Sequence, residues 1–428
     1  MSLTERDFTI DRLGECRRPS PLTGVRFTPD DERVLYETNL REVAAQVARG
    51  GPLAGLEVAG PRERIHFDPA TLGCGIVTCG GLCPGLNDVI AAVVQSLWRN
   101  YGVRRILGFR YGYEGLVRRL GHEPLALTPE AVEGISERGG TMLGSSRGPQ
   151  DPAEMVDTLA GLGVGLLFAI GGDGTLKGAR AIAEEARRRR RELAVVGIPK
   201  TIDNDISLVQ KTFGFDTAVA EAVRNTTAAH CEAVGARNGV GLVKLMGRDS
   251  GFIAAYAALV DSQVDFCLVP EVPFTLDGFL TALRRRLQAE CHAVVVVAEG
   301  AGQDLLPATG GHDASGNTKL GDIGVFLRDA ITAHLREQGQ PVSVKYIDPS
   351  YTIRSVPANA HDSAFCFLLG QHAVHAGMTG RTNLVVGFWN QRFTHVPLAL
   401  AAARRRLDPE GPVWSSILAA TGQPREMR

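Results

Sequence analysis

The sequence has little that would carry it into a membrane or onto a polyanion. No apolar run approaches the ~20 residues that a membrane span needs, and the N-terminus has no signal-like pattern, so a membrane partner is not expected. The formal net charge is only -1, with 46 Lys and Arg against 47 Asp and Glu, so no global field favours nucleic acid. Any charged ligand has to be met by local groups. The eight cysteines form no CxxC pair, which points to reduced thiols and a cytoplasmic setting. Cys74, Cys79 and Cys83 lie near one another in sequence, but they span a strand and a glycine-rich turn and lack a partnering His or Cys group to complete a metal site. The 50 glycines and 22 prolines follow no collagen-like period and gather at the ends of apolar runs, where loops approach a ligand.

What is present is a recurrent alternation. Short aliphatic runs at Gly75 to Cys79, Arg105 to Phe109, Gly165 to Ile170, Leu193 to Ile198, Val240 to Met246, Ala293 to Ala298 and Asn383 to Phe388 read as buried parallel strands. Amphipathic stretches at Val89 to Arg99, Ala153 to Ala160, Leu176 to Arg191 and Phe279 to Glu290 supply crossover helices. A chain of 428 residues is long enough for two such cores. The expectation is an α/β protein of two doubly wound, mostly parallel-sheet lobes, with the active site in the cleft between them. Residues 1–70, rich in charge and proline and with one clear helix from Thr38 to Ala48, read as an extension wrapped on this body. Arginine runs stand at 187–191, 284–286 and 404–406. The first ends a predicted helix, where cations meet the negative end of the macrodipole; a solvated helix end is the plainer reading and an effector-phosphate site the sharper one.

Four polar loops follow predicted strands. Thr78 to Asp88 is glycine-rich and opens a helix, so its free N–H groups suit an anion, although such turns also serve packing. Gly171-Gly172-Asp173-Gly174-Thr175 places a carboxylate at a strand's end, suited to holding Mg²⁺ against phosphates; a plain helix cap by Asp173 would not need both glycines. Pro199-Lys200-Thr201-Ile202-Asp203-Asn204-Asp205 packs two carboxylates and a cation into one loop, the groups that phosphoryl transfer to an alcohol requires, against the plainer reading of an Asx-rich turn. If extended, it sets Asp203 and Asp205 on one face. Met246-Gly247-Arg248 and Glu299-Gly300 complete the set: Arg248 offers a fork for phosphate and Glu299 an acceptor for sugar hydroxyls.

Together these motifs resemble the phosphofructokinase family over about Phe67 to Gly387. Gly171 to Thr175 alone is also similar to NAD kinases and diacylglycerol kinases, whereas the 199–205 loop with Met246-Gly247-Arg248 is diagnostic. The resemblance implies Asp203 as the base for the sugar 1-hydroxyl, with Lys200, Thr201 and Arg248 also catalytic and Asp205 in the same pocket. It implies Gly81, Tyr113, Arg147, Gly172, Gly174 and Thr175 for the phosphoryl donor and Asp173 for Mg²⁺. Met246, Gly247, Arg248, Glu299, Tyr351 and Arg354 would hold fructose 6-phosphate, Arg354 at its 6-phosphate. Residues 71–214 would then be the donor-binding lobe, and 215–428 the sugar-phosphate lobe with C-terminal segments returning to the first.

The family divides between ATP and pyrophosphate as donor. Gly174 leaves room for an α-phosphate where pyrophosphate users resemble one another in carrying Asp, whose side chain would obstruct and repel it. Lys200 points the other way, since many pyrophosphate users carry Lys there. Gly174 with Lys200, the long extension, and Arg33 to Thr38 resemble the plant-type, long-chain ATP-dependent 6-phosphofructokinases. Compact bacterial members carry Arg seven residues before Met246; this chain has Gly239, so their cross-subunit contact and effector site do not carry over. The expectation is a glycolytic, ATP- and Mg²⁺-dependent 6-phosphofructokinase, a homodimer or homotetramer. The alternatives are a pyrophosphate-dependent phosphotransferase and, more distantly, a NAD-kinase-like enzyme or a sugar-phosphate-sensing regulatory subunit.

Overall fold

In the computed structural model, residues 3–50, 53–307, 310–311, 318–401 and 403–428 are described. The chain divides into two compact units, Met1–Gly214 with Val356–Arg404, and Phe215–Ser355 with Arg405–Arg428.

The first unit is built on a nine-stranded sheet. Its five central strands, Leu384–Trp389, Ala194–Pro199, Val164–Gly171, Gly73–Thr78 and Arg105–Phe109, lie parallel in that order. They are mostly apolar because both faces are covered; Ile76, Phe168, Ile170, Val195 and Ile198 are all fully buried. Truncating a side chain such as Phe168 to Ala would cost about 3–5 kcal/mol.

The order of these strands locates the site. From Gly73–Thr78 the chain crosses to Arg105–Phe109 on one side, then returns to pair Val164–Gly171 on the other. Crossovers are right-handed, so helices Leu86–Gln95 and Asp173–Arg188 fall on opposite faces. Between the two strands, at their carboxyl ends, lies the switch point where open α/β sheets bind ligands.

Local chemistry starts the helices where the chain requires them. Asp151 accepts the Ala153 N–H at 2.9 Å and Pro152 takes the first helical position, so Pro152–Gly161 begins one residue before the periodicity alone predicts. Leu86–Gln95 likewise ends early, its predicted last turn being a π-helical segment over Ser96–Tyr101.

Residues before Gly73 add the edge strands Arg33–Leu35 and Gly55–Val58 to the sheet. Gly55–Val58 carries Glu57, buried among Arg381, Arg62 and His395 and hydrogen-bonded to Arg381 and to His395 Nδ1. Burial pushes its carboxyl up, but the His395 contact and the Arg381 guanidinium outweigh it and hold the carboxyl far below the usual range.

The second unit holds a four-stranded, all-parallel sheet ordered Phe266–Leu268, His292–Ala298, Gly239–Leu245, Ser343–Ile347. Leu245 and Ala298 end the two central strands in register, so the loops after them emerge side by side.

No helix among the described residues is long and apolar enough to cross a membrane.

Candidate active site

In the first unit three of the predicted loops converge on the switch point. Strand Ala194–Pro199 runs parallel to Val164–Gly171 with Pro199 opposite Gly171, and the Lys200 N–H then donates to the Gly171 carbonyl at 3.0 Å. The third loop is thereby tied to the second. The side chain of Lys200 turns back and donates to the carbonyl of Gly81, tying the third loop to the first. Gly80 receives Ser145 Oγ on its carbonyl at 2.6 Å and donates its N–H to the Ser146 carbonyl at 3.0 Å, which brings the segment ending at Arg147 alongside. Burial lowers the pKa of Lys200, and the Arg147 charge lowers it further, while Cys83, Cys79 and Asp203 oppose the shift. Gly81, Arg147, Lys200 and Asp203 therefore belong to one electrostatic neighbourhood.

The second loop is a tight strand-to-helix turn. A Cβ on Gly171 would fall 2.0 Å from Thr175 Oγ1, so that position accepts no side chain. A Cβ on Gly174 would meet nothing within 4 Å, although the residue lies in the first turn of Asp173–Arg188 where the N–H groups are free. Open space therefore borders a helix N-terminus, the arrangement that receives phosphate. Asp173 opens this helix. Its Oδ2 meets Lys177 Nζ at 2.8 Å and Arg404 at 3.8 Å, while its buried Oδ1 has no hydrogen-bond partner among the described residues. A buried carboxylate oxygen lacking a donor fits a hard cation, which takes one or two carboxylates and completes its shell with phosphate and water.

Along the third loop burial alternates: Ile202, Asn204 and Ile206 are buried, and Thr201, Asp203 and Asp205 are partly exposed. The two carboxylates thus share a side. Asn204 holds the bend with φ +53° and accepts the Thr212 N–H at 3.0 Å. Thr201 Oγ1 accepts the Asp203 N–H at 3.0 Å and lies 3.4 Å from Asp205 Oδ1. Burial raises the Asp205 pKa, Arg404 lowers it, and the Asp173 charge raises it.

Arg404, the first of the arginine run 404–406, joins this site. It reaches the loop through an antiparallel bridge to Ile206, and only the fold brings it to Asp173 and Asp205. Tyr113 is 5% exposed, and its hydroxyl donates to the Thr175 carbonyl at 2.7 Å, next to Gly174. It braces the helix start from behind.

In the second unit the Glu299 N–H donates to the Leu245 carbonyl at 2.9 Å and the Gly300 N–H to that of Gly247 at 3.0 Å, joining the Met246 and Glu299 loops. Gly247 has φ +130°, a conformation that other residues rarely adopt. Burial raises the Glu299 pKa, and the cations Arg248, Lys244 and Arg354 oppose it, so Arg248, Glu299 and Arg354 act on one another. Arg354 lies 4.7 Å over the Tyr351 ring, itself 75% exposed. Arg248 also donates to the Thr318 carbonyl at 2.5 Å.

The sequence pattern of the family described as Phosphofructokinase matches residues 73–377. The chain is 49% identical to "ATP-dependent 6-phosphofructokinase" of Amycolatopsis methanolica, covering 100% of this chain and 97% of the relative. It is 46% identical to the protein of that name in Borreliella burgdorferi, covering 99% and 98%. It is 47% identical to "ATP-dependent 6-phosphofructokinase 5, chloroplastic" of Arabidopsis thaliana, covering 86% and 68%. Among solved structures, a pyrophosphate-dependent phosphofructokinase from Marinobacter aquaeolei superposes with TM-score 0.68 at 18% identity, over 83% of this chain and 96% of that one. Pichia pastoris phosphofructokinase does so with TM-score 0.64 at 22% identity, over 90% and 45%. At those identities the structural likeness speaks to the fold alone.

Proposed function

The chain belongs to the phosphofructokinase family, and we propose that it transfers the γ-phosphoryl of ATP to the 1-hydroxyl of fructose 6-phosphate, giving fructose 1,6-bisphosphate and ADP. The observation that carries the donor is the open space at Gly174 beside free helix N–H groups. An α-phosphate has room there, and a carboxylate would occupy and repel it. Lys200 donates to the Gly81 carbonyl and so joins two loops, a role that either donor allows.

Asp203 is the general base in this reading. The Thr201 hydroxyl that receives its N–H fixes the loop, and the carboxylate accepts the proton as the sugar oxygen attacks phosphorus. Arg147, Lys200 and the helix N-terminus at Gly174 and Thr175 offset charge that spreads over the transferring phosphoryl oxygens. Asp173, with its unpartnered Oδ1, would hold Mg²⁺, which when bound neutralises phosphate charge. Arg404 keeps Asp205 and Asp173 compatible as neighbouring carboxylates. In the second unit Arg248 and Arg354 supply cations for the sugar phosphate, Glu299 accepts hydroxyl hydrogen bonds, and Met246 and Gly247 form the wall. The eight free cysteines support a reducing, cytoplasmic setting. A homodimer or homotetramer completes the reading, and sedimentation equilibrium tests it.

The function is tested by incubating the purified chain with fructose 6-phosphate and MgATP and identifying products by ³¹P NMR. Fructose 1,6-bisphosphate and ADP are expected; ATP left intact beside fructose 6-phosphate overturns the reading.

A further inference from the structure

A cavity of about 380 Å³ opens in the first unit at the end of helix Asp173–Arg188 opposite to Gly174. Sixteen residues at 1.5 Å each put it about 24 Å from the donor loop. One wall is the helix end with Arg187, Arg190 and Arg191, and the facing wall is the strand Asp11–Arg12, held by its antiparallel pairing to Arg381–Thr382.

Four guanidinium groups and three carboxylates line this space, and their pairing is uneven. Glu184 receives Arg180 at 2.8 Å, Glu192 faces His66 Nε2 at 2.7 Å, and Asp11 receives the Asn383 amide at 3.0 Å, so each acid is met by a group other than Arg190 or Arg191. Arg12 is held by Asp30 and Glu57 at 3.2 and 3.3 Å. Within the run 187–191, Arg188 and Arg189 are also neutralised, by Glu185 and Asp157. Among the described residues Arg187 has a single long contact, to Asp11 at 4.0 Å. Among the described residues Arg190 and Arg191 have no side-chain partner, and both line the cavity. The chain bends to present them: the helix stops at Arg188, Arg190 takes φ +54°, and Leu193 is buried three residues later.

A plain solvated helix end would have no reason to be faced by a second wall or to spare the arginines on the cavity side from the ion pairs that occupy the others. Two uncompensated guanidinium groups and a third loosely held one match a dianion in charge. The volume suits a small molecule, and the three rim carboxylates disfavour a polyanion. We propose that this cavity is a binding site for a small phosphate monoester, separate from the groups that carry phosphoryl transfer.

Isothermal titration calorimetry with ribose 5-phosphate tests this, with saturating fructose 6-phosphate and MgADP present so that the groups of the reaction are occupied. The expected result is one site per chain that ribose does not fill. In the double variant Arg190→Glu/Arg191→Glu affinity should fall roughly tenfold or more, since both charged donors are lost and two like charges face the ligand. The variant's kcat and KM without the probe should match wild type, because neither arginine touches the reaction. Absence of saturable binding, equal binding by the variant, or equally tight binding of succinate would overturn the proposal.

Discussion

Lys200 donates its side-chain hydrogen bond to the carbonyl of Gly81, a residue 119 positions earlier, and in doing so joins the loops that follow two different strands of one sheet. A lysine spent on a backbone carbonyl is a clamp first and a phosphate ligand second. That relationship removes the conflict between Lys200 and Gly174 over the donor.

Lys200→Met should therefore raise the KM for ATP and lower kcat, each by about tenfold or more, because a buried charged hydrogen bond is lost and the Gly81 carbonyl is left unmet. It should not create pyrophosphate activity or remove any preference for ATP. Steady-state kinetics with both donors checks this.

Gly174→Asp should fold normally, since its Cβ meets no atom within 4 Å and an acid in a first helical turn is favourable. ATP-dependent kcat/KM should nevertheless drop by roughly a hundredfold or more through clash and repulsion at the α-phosphate. An unchanged melting temperature with lost ATP use is the expected pair of readings.

Asp203→Asn removes the proposed base while keeping shape. Turnover should fall by about 10²–10⁴, with fructose 6-phosphate affinity within a few-fold of wild type by equilibrium binding. Asp205→Asn should be milder in kcat, since burial and the Asp173 charge raise the pKa of Asp205 although Arg404 opposes them.

Stability should fall on acidification below neutrality. Burial lowers His372 to about 3, and His375 and His395 to about 4, from an ordinary value of 6.5. These groups stay neutral in the folded chain while the unfolded chain takes up protons below about pH 6.5. Their contribution is complete above that pH and is lost as pH falls toward 4, at about 1.4 kcal/mol per pH unit for each histidine. Urea unfolding followed from pH 7.5 to 4.5 gives the slope.

Much of this was legible in the sequence because it is local. Aliphatic runs such as Gly165 to Ile170 and Ala293 to Ala298 fix buried strands, and the loops after them fall at the carboxyl edge by topology alone. Strand ends shifted by one or two residues, since hydrogen bonding in the ladder carries Val164–Gly171 into the glycine where side-chain pattern stops. The helix predicted from Leu176 begins at Asp173, because Gly174 costs helix propensity but is open to phosphate. Contacts made across the sheet were not legible. Arg404 lies some two hundred residues from Asp205, and nothing in its run of three arginines distinguishes it from its neighbours until the Ile206 bridge is formed. The hydrogen bond from the Tyr113 hydroxyl to the Thr175 carbonyl, 62 residues away, is likewise made only by the fold.

The most direct test of the account is a comparison of donors on the unaltered chain. Initial rates of fructose 6-phosphate phosphorylation are measured with Mg²⁺ and either ATP or pyrophosphate, each taken to saturation. Robust turnover with ATP and none above background with pyrophosphate is predicted; robust turnover with pyrophosphate and none with ATP would contradict it.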